Sequence, residues 1–374
     1  MRRSILTLFA SLFICVGCGA AAPKSDAQLI EGLTLEQKAA KLLIVGLDGT
    51  SLSPSNKIIT DISKRGVSGV ILFERNIAQP AEGFDPRQNL KKFIADLKAQ
   101  SATPIFVTID QEGGFVNRMK TKYGFAEMLS QKKVGASDDV AVVEKNAQTI
   151  ASEVASIGVN INFSPCVDVD VNPECPVIGR FERSFSADEK LVSKYADIYV
   201  DAHHKQGVLT SLKHFPGHGN SLVDSHFGLT DITKTWRRRE LTPYIDLIKS
   251  GKCDAVMVSH LFNSDIDSQY PATLSNATID GLLRKELGWD GVVISDDMQM
   301  KAIVDHYGFE EAIILGLNAG LDLFIIGGNI KRESFDIVER FISTIVEGVK
   351  SGKVTTETLD RAVVRVERLR ERIK

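Results

Sequence analysis

The chain has 374 residues, of which 43% are hydrophobic and 25% are charged, and its formal net charge is −3. This composition is typical of a soluble globular protein whose length allows it to bury a large core. The sequence has no long block of basic residues, which argues against a nucleic-acid partner.

The N-terminal segment has the plan of a bacterial signal peptide. Two arginines precede an apolar run from Ile5 to Val16, and this run is short for a permanent membrane span. The sequence around Cys18 resembles the site at which bacterial lipoproteins are cleaved and lipidated, although Cys15 stands where Leu is usual. We therefore predict a lipoprotein-type signal peptide over residues 1–18, with Cys18 as the lipidated residue.

We therefore expect the protein to be exported and anchored to a membrane through its lipid, on the periplasmic side or at the cell surface. Secretion after cleavage behind Ala20 is the alternative. Residues 19–33 are rich in Ala, Pro, Ser, Lys and Asp, and we expect them to form a tether. Residues 34–374 are expected to form one catalytic domain, without a second one, and a monomer.

Three further cysteines, Cys166, Cys175 and Cys253, lie within this domain. Their number is odd and the sequence has no C-x-x-C motif, so it indicates neither a disulfide framework nor a zinc site. A bridge between Cys166 and Cys175 remains an alternative in an oxidising compartment.

Eight short apolar runs rich in β-branched residues alternate with helical patterns along the domain. The runs are nearly continuous in hydrophobicity, as expected for strands buried on both faces. They are Lys41–Gly46, Ser68–Phe73, Pro104–Asp110, Gly158–Phe163, Val208–Lys213, Asp254–Ser259, Gly291–Asp296 and Leu321–Gly327. The helical patterns cover Arg87–Gln100, Asp139–Ile157, Asp188–Gln206, Glu240–Gly251, Ile279–Leu287, Phe309–Ala319, 333–350 and 356–373.

This alternation predicts an α/β fold, a closed TIM-like (β/α)₈ barrel. A doubly wound open sheet is the main competitor. Such a sheet of eight units typically carries a glycine-rich nucleotide turn, and neither GxGxxG nor GxxxxGK[ST] is present in the sequence.

Polar residues gather at the carboxyl ends of five of these eight runs. They are Asp110 with Glu112 and Arg118, Asn162 with Asp168, Asp170 and Arg183, Lys213 with His214, His260, and Asp296 with Asp297. Active sites of (β/α)₈ barrels lie at this end of the strands. The pattern therefore predicts a catalytic mouth there.

The stretch Lys213–His226 reads KHFPGHGNSLVDSH and begins where the fifth run ends. Its Gly and Pro residues stop regular structure, so a loop is predicted. Asp224 and His226 lie two residues apart on this loop, and a carboxylate that close can orient an imidazole and raise its basicity. An isolated D-x-H is more often a solvated loop, but the polar strand ends favour a functional pair here.

Asp296 emerges from the buried run VVIS, where a carboxylate can attack an electrophilic carbon. With His226 it fits the plan of a retaining glycosidase, which uses one nucleophile and one acid/base group. The acid/base group is usually a carboxylic acid, so a histidine supported by Asp224 is a variant of that plan. Hydrogen bonds suited to a hydroxyl-rich ligand are offered by Asp110, Arg118, Arg183, Lys213 and His214.

Three motifs together resemble glycoside hydrolase family 3. They are KHFPGHG followed by DSH, SDDM after an apolar run, and DQEGG followed by Arg118. They are most similar to the β-N-acetylglucosaminidase branch, which is known for the turnover of peptidoglycan fragments. The resemblance extends over about residues 34–350. It implies a TIM-like barrel without a metal or other cofactor, and retaining release of terminal β-linked N-acetylglucosamine from a carbohydrate substrate.

The same resemblance implies that Asp296 is the nucleophile, His226 the acid/base residue and Asp224 its partner. It implies sugar-gripping roles for Asp110, Arg118, Arg183, Lys213 and His214. Phe115 departs from the family pattern, which usually has Arg there, and the run IGRFERSF before Arg183 is longer than the usual IG-x-RSF. The export signal is a third departure, because the recycling enzymes of many Gram-negative bacteria are cytoplasmic.

Several alternatives stay open. A metal site formed by His214, His218 and His226 would make activity sensitive to chelators, but the spacing matches no zinc pattern. The same site could serve a β-glucosidase. It could also serve a phosphorylase, because a neutral histidine acid/base group lets phosphate enter where water normally attacks. If the chain is not an enzyme, the alternative is a lipoprotein that binds sugars without cleaving them.

Overall fold

The computed structural model describes residues 24–224, 228–329 and 336–373. Eight parallel strands close into a barrel in the order in which they follow one another along the chain. They are β1 (Leu43–Gly46), β2 (Gly69–Leu72), β3 (Phe106–Ile109), β4 (Ile161–Asn162), β5 (Leu209–Phe215), β6 (Ala255–Val258), β7 (Val292–Asp297) and β8 (Leu323–Ile326). β1 pairs with both β2 and β8. The predicted TIM-like barrel is confirmed, and the open sheet is wrong.

Helices surround the strands. They are α1 (Asp26–Ile30), α2 (Leu35–Ala40), α3 (Lys57–Thr60), α4 (Pro86–Lys98), α5 (Gln131–Ala136), α6 (Val140–Ile157), α7 (Glu189–Lys205), α8 (Thr242–Lys249), α9 (Lys301–Tyr307), α10 (Phe309–Ala319), α11 (Ile337–Lys350) and α12 (Thr356–Arg370). Two further segments, Asp61–Arg65 and Ala277–Glu286, are π-helical. The predicted helices are therefore present, but the one over Ile279–Leu287 has the wider π-helical turn.

Short elements complete the connections. Single 3₁₀ turns cover Glu74–Asn76, Thr121–Tyr123, Arg238–Leu241 and Ala272–Leu274. A small parallel pair outside the barrel joins Thr230–Asp231 to Leu261–Phe262. This pair links the connection after β5 to the connection after β6.

The barrel core explains why the strands read as continuous apolar runs. Every residue of β2, β3 and β6 is buried, because one face points into the barrel and the other packs against helices. The helices supply a matching apolar stripe: α11 buries Val338, Phe341, Ile342 and Ile345 at helical spacing. Phe341 packs edge-to-face on Phe324 of β8, with 5.4 Å between ring centroids.

Two strands extend beyond their neighbours. β5 has seven residues and β7 has six, whereas β4 has two and β6 has four. The register of β5 against β6 shifts between Leu212 and Phe215, and the Lys213–His214 peptide is cis. Because β5 and β7 are the longer strands, Lys213, His214 and Asp296 are held by the strands themselves, which position side chains more rigidly than loops do.

The opposite end of the barrel is anchored by Arg370 of α12. Its buried guanidinium donates to the carbonyl oxygens of Ser68 and Pro104, at 3.2 and 2.6 Å, and to the Ser68 hydroxyl at 2.6 Å. It also lies 4.6 Å from the centroid of the Phe106 ring. These partners stand at the amino-terminal starts of β2 and β3, so α12 closes the lower end of the barrel.

Two further arginines extend this anchoring to β6 and β8. Arg365 of α12 pairs with Asp322, just before β8, at 3.2 Å. Arg372 pairs with Asp254, just before β6. Both carboxylates are buried and also accept backbone or side-chain donors from neighbouring elements. The lower end is therefore held by charge-assisted hydrogen bonds from one C-terminal segment.

The N-terminal predictions fall largely outside the structure. Residues 1–18 and Cys18 lie outside the described residues, and the segment predicted to be a tether is described from residue 24. Within it Asp26–Ile30 form α1, and Asp26 pairs with Arg368 of α12 at 2.9 Å. None of the helices within the described residues has the length and apolar character needed to cross a bilayer.

Replacing Arg370 with Met should lower the free energy of unfolding by about 2–4 kcal/mol, because the Pro104 carbonyl and the buried carbonyl and hydroxyl of Ser68 each lose the donor that Arg370 supplies. Denaturant unfolding measures this loss. Arg361→Met is the matched control, since Arg361 is an exposed residue of the same helix that pairs with Glu357 one turn away; its effect should stay below about 0.5 kcal/mol. Equal stability of the two variants would contradict the anchoring role of Arg370.

Candidate active site

A cavity of ≈ 450 Å³ opens at the carboxyl ends of the strands. The predicted site residues that line it are Asp110, Arg118, Arg183, Lys213, His214, Asp224 and Asp296. His226 belongs to residues 225–227, which lie outside the described residues. The chain therefore brings together, in one cavity, side chains contributed by β5, by β7 and by the connections after β3, β4 and β5.

Lys213 is enclosed by two carboxylates. Its Nζ lies 2.7 Å from Oδ1 of Asp110 and 2.6 Å from Oε1 of Glu112. Burial alone would lower the pKa of Lys213, but the two carboxylates outweigh burial and raise it. Lys213 is therefore a fixed cation, and it holds Asp110 in place at the side of the cavity.

Glu112 joins Lys213 to Arg183. The Arg183 guanidinium binds the Glu112 carboxylate through two parallel hydrogen bonds of 2.9 and 2.8 Å. Burial favours the neutral acid, yet the charges of Arg183 and Lys213 dominate and lower the pKa of Glu112 to about 2. The longer run before Arg183 does not displace it from the cavity, whereas Arg180 is exposed and pairs with Glu174.

His214 is oriented from both sides. Its Nε2 lies 3.0 Å from Nη2 of Arg183, and its Nδ1 lies 2.6 Å from Oδ2 of Asp168. Arginine can only donate, so Nε2 accepts and the proton sits on Nδ1, donated to Asp168. Both nitrogens of the ring are thus engaged by protein groups, which fix its orientation.

Asp168 is the buried anchor of this part of the site. It accepts the backbone N–H groups of His214 and His218 as well as the His214 ring. Burial acts to raise its pKa, but the His214 ring and the other hydrogen bonds hold the pKa of Asp168 well below its ordinary value. The Cys166 thiol donates to the same carboxylate at 3.1 Å.

Cys166, Asp168 and His214 are the one group of metal-ligand side chains that lies together within the described residues. Burial is the main reason that the pKa of the Cys166 thiol is raised well above its usual value, so the thiol stays protonated. Hydrogen bonds within the group account for its arrangement.

His218 is also buried, and burial lowers its pKa to about 4, which keeps its ring neutral beside Ser221.

Asp110 and Arg118 are the more exposed charged groups of this wall. Nη2 of Arg118 is 3.9 Å from Oδ2 of Asp110, which is too long for a hydrogen bond. Nε of Arg118 is buried and has no hydrogen-bond partner among the described residues. A ligand hydroxyl between the two side chains would satisfy both.

Asp296 stands at the end of β7, across the barrel from β3. It is half-buried, and its Oδ1 accepts the backbone N–H of Asp297 at 2.7 Å. Asp297 serves the backbone, because its Oδ1 accepts N–H groups from Gln299 and Gly327. Burial raises the pKa of Asp297. Gly327 is required there, since a Cβ at this position would lie 2.5 Å from the Asp297 carboxylate.

The identity of the fold family follows from comparison with known proteins. The profile of the glycosyl hydrolase family 3 N-terminal domain matches residues 34–369. The chain belongs to glycoside hydrolase family 3. This membership confirms the resemblance found from the three sequence motifs.

Three proteins that are similar to this chain are named as hexosaminidases or as an N-acetylglucosaminidase. Beta-hexosaminidase A of Pseudoalteromonas piscicida is 32% identical over 331 residues, which are 83% of this chain and 54% of that protein. The beta-hexosaminidase of Haemophilus influenzae strain Rd is 32% identical over 289 residues, 76% of this chain and 78% of that protein. The structure of a family 3 beta-N-acetylglucosaminidase from Paenibacillus sp. FPU-7 has a TM-score of 0.82 at 34% identity, covering 91% of this chain and 63% of that one. This chain thus spans less than two thirds of two of these relatives.

Several roles in the family 3 site were not predicted from the sequence. The sequence predicts Asp168 and Glu112 at the mouth, but not that Asp168 anchors His214 or that Glu112 pairs with Arg183 and Lys213. His260 was also expected at the mouth, but it is buried, and its Nε2 lies 3.0 Å from the carbonyl oxygen of Asp297. Asn162 is likewise buried and binds the backbone of Gln111. His260 and Asn162 therefore bind the backbone at the rim of the barrel, and neither lines the cavity.

Glu240 packs under the turn that begins at Pro216. Its Oε1 accepts the backbone N–H of Arg237 at 2.9 Å, and its buried Oε2 has no hydrogen-bond partner among the described residues. A Cβ at Gly217 would lie 2.9 Å from the Glu240 side chain, so the turn and the glutamate are in close contact. Burial raises the pKa of Glu240 from 4.5 to about 7.

Replacing Glu240 with Gln should flatten the pH dependence of the melting temperature. The raised pKa means that Glu240 adds stability below pH 4.5 and that this contribution is lost as the pH rises through about 7. Gln cannot ionise, so the variant should lose less stability than the wild type between about pH 5 and pH 8. Glu347→Gln, at an exposed site on α11, should follow the wild-type curve. Parallel curves for all three proteins would refute the burial effect.

Proposed function

We propose that this chain is a retaining exo-β-N-acetylglucosaminidase that releases terminal β-linked N-acetylglucosamine. The observation that carries the proposal is the placement of Asp296 at the end of β7, facing a cavity whose opposite wall holds Asp110, Arg118 and Lys213. Family membership and the names of the relatives support the reaction class.

In the first step a carboxylate oxygen of Asp296 attacks the anomeric carbon of the sugar. The bond to the leaving group breaks through an oxocarbenium-like state, and a covalent glycosyl-enzyme forms. The leaving oxygen takes its proton from His226, which Asp224 orients in this proposal. Asp224 is half-buried in the same cavity as Asp296.

In the second step water attacks the same carbon. His226 now accepts a proton from that water, and the Asp296 carboxylate leaves, so the configuration at the anomeric carbon is retained. The half-buried position of Asp296, with one oxygen held by a backbone N–H, suits a nucleophile. That hydrogen bond fixes the carboxylate and stabilises the charge that returns to it when the sugar departs.

Binding of the terminal sugar is assigned to the charged wall. Asp110 accepts a sugar hydroxyl, and Arg118 donates to the same sugar through Nη2, which lies 3.9 Å from Oδ2 of Asp110. Lys213, Arg183 and His214 keep these groups in position through the pairs already described. Because the side chains are held before the sugar arrives, little reorganisation is needed during the reaction.

Three buried apolar side chains, Phe163, Met257 and Ile325, line the same cavity as Asp296. The barrel interior of this fold is filled by side chains, so a glycan enters and leaves through the mouth. Exo action is a part of the proposal that rests on family membership and on the names of the relatives.

The setting of the enzyme is also proposed. The N-terminal sequence supports export and lipidation at Cys18, which would tether a monomeric enzyme to a membrane. Fragments of peptidoglycan, or other amino-sugar glycans outside the cytoplasm, are then the natural substrates. Radiolabelled palmitate carried by the wild type and lost from Cys18→Ser is the expected result, and equal labelling of the two would refute lipidation at this residue.

The choice of sugar is tested with two chromogenic aryl β-glycosides, the N-acetylglucosaminide and the glucoside. We expect strong preference for the N-acetylglucosaminide, with the β-anomer of the free sugar appearing first in proton NMR. Preference for the glucoside would refute the substrate class, and the α-anomer would refute retention. Adding phosphate should produce no sugar 1-phosphate, since water is the proposed acceptor.

Asp296→Ala should reduce turnover of the N-acetylglucosaminide by at least about 10³-fold, because no covalent intermediate can form. Steady-state rates measure the loss, and melting temperature checks that the variant is folded. Asp96→Ala, which removes an aspartate from the exposed face of α4, is the control and should keep wild-type rates. Near-normal turnover by Asp296→Ala would overturn the assignment of the nucleophile.

A further inference from the structure

Two large aromatic side chains stand at the mouth of the active-site cavity. Phe115 is 60% exposed and Phe181 is 45% exposed, and both line the cavity that contains Asp296. Their rings are in contact, with centroids 5.9 Å apart and planes at 84°. Single exposed apolar residues are ordinary on protein surfaces, but a contacting aromatic pair beside a charged site presents apolar surface to whatever enters.

Phe115 is carried by a rigid turn. The backbone N–H groups of Glu112 and Gly113 donate to the carbonyl oxygen of Val116, at 2.9 and 3.2 Å. Gly114 donates to the Met128 carbonyl at 3.0 Å and has a positive φ of 59°. The exposed ring therefore projects from a backbone that hydrogen bonds hold on both sides.

Phe181 is carried by a second fixed turn. The N–H groups of Glu182 and Arg183 donate to Gly179 and Ile178, at 3.1 Å each. The Glu182 carboxylate accepts the Ser130 hydroxyl at 2.6 Å. Ser130 also abuts the first turn, since a Cβ at Gly114 would lie 2.4 Å from the Ser130 Cβ. Ser130 thus connects the two turns and fixes the distance between the two rings.

The aromatic pair lies outward of the sugar-binding wall on the same connections. Phe115 sits between Glu112 and Arg118 in sequence, and Phe181 is two residues before Arg183. The side chains of Glu112 and Arg183 are 1% and 10% exposed, whereas both rings are largely open to solvent. Both rings therefore line the outer part of the cavity that contains Asp296, where they are accessible to the next unit of a glycan whose terminal sugar lies at Asp296.

We infer that Phe115 and Phe181 form a leaving-group subsite that binds the apolar face of the sugar ring from which N-acetylglucosamine is released. This inference rests on the proposed function. A pyranose ring presents C–H groups on its faces and hydroxyls at its edge, so a fixed aromatic ring can cover one face without competing for hydrogen bonds. The pair itself carries no charge, so its contribution to binding is an apolar contact with the face of the sugar ring.

Two substrates separate this subsite from the rest of the site. A β-1,4-linked disaccharide of N-acetylglucosamine fills both positions, whereas methyl β-N-acetylglucosaminide places only one carbon in the leaving-group position. The double variant Phe115→Ala/Phe181→Ala should lose about tenfold in kcat/KM for the disaccharide, mainly through a higher KM. Its kcat/KM for the methyl glycoside should stay within about twofold of the wild type.

Phe84→Ala is the matched control, because Phe84 is 42% exposed and lies outside the cavity. It should leave both substrates unaffected. An unchanged KM for the disaccharide, or equal losses on both substrates, would overturn the subsite. Melting temperatures of the variants show whether a loss comes from unfolding.

If the proposed function is wrong, the experiment gives a result that differs from failure of the subsite alone. In that case the wild type hydrolyses neither substrate, and calorimetric binding of the disaccharide and of free N-acetylglucosamine to the wild type decides the inference. Tighter binding of the disaccharide that disappears in the double variant supports the subsite. Equal binding of the two sugars, or no binding of either, refutes it.

Discussion

The upper face of the barrel depends on one buried carboxylate, that of Glu112. It lies between Lys213 on β5 and Arg183 in the connection after β4, while Glu112 itself follows β3. Two cations buried next to each other without this carboxylate would repel each other in a medium that solvates them poorly. The connections after β3 and β4 thus meet β5 around Glu112, whose pKa of about 2 keeps it ionised at neutral pH.

The same network fixes the charges behind the cavity wall. Lys213 is a cation, Glu112 and Asp168 are anions, and the His214 ring is held in one orientation by Asp168 and Arg183. In the proposed function a sugar meets donors and acceptors whose directions are already set. Asp296 approaches from the other side of the barrel on β7, so the proposed nucleophile and the proposed binding wall belong to separate elements of one barrel.

The fold was predictable from the sequence because the barrel strands are buried on both faces and read as uninterrupted apolar runs. The positions of Asp110, Lys213 and Asp296 were predictable for a related reason, since each polar residue ends such a run. The contacts between residues that lie far apart in the sequence were not predictable. Arg183 and Glu112 are 71 residues apart, and His214 and Asp168 are 46 apart, so their contacts depend on how the connections fold over the barrel. Phe115 and Phe181 appeared in the sequence as two unrelated departures from a family pattern, and only the structure places their rings in contact.

The anchoring of the lower end by Arg370 has a consequence for how the protein is made. Ser68 and Arg370 are separated by 302 residues, and β1 has to pair with β8 before the sheet can close. A ribosome has therefore produced almost the whole domain before the amino-terminal starts of β2 and β3 obtain their final partner. Contacts of such large sequence separation form slowly and leave strand edges uncovered in the meantime. Closure of the lower end of the barrel therefore waits for α12, the last helix of the domain.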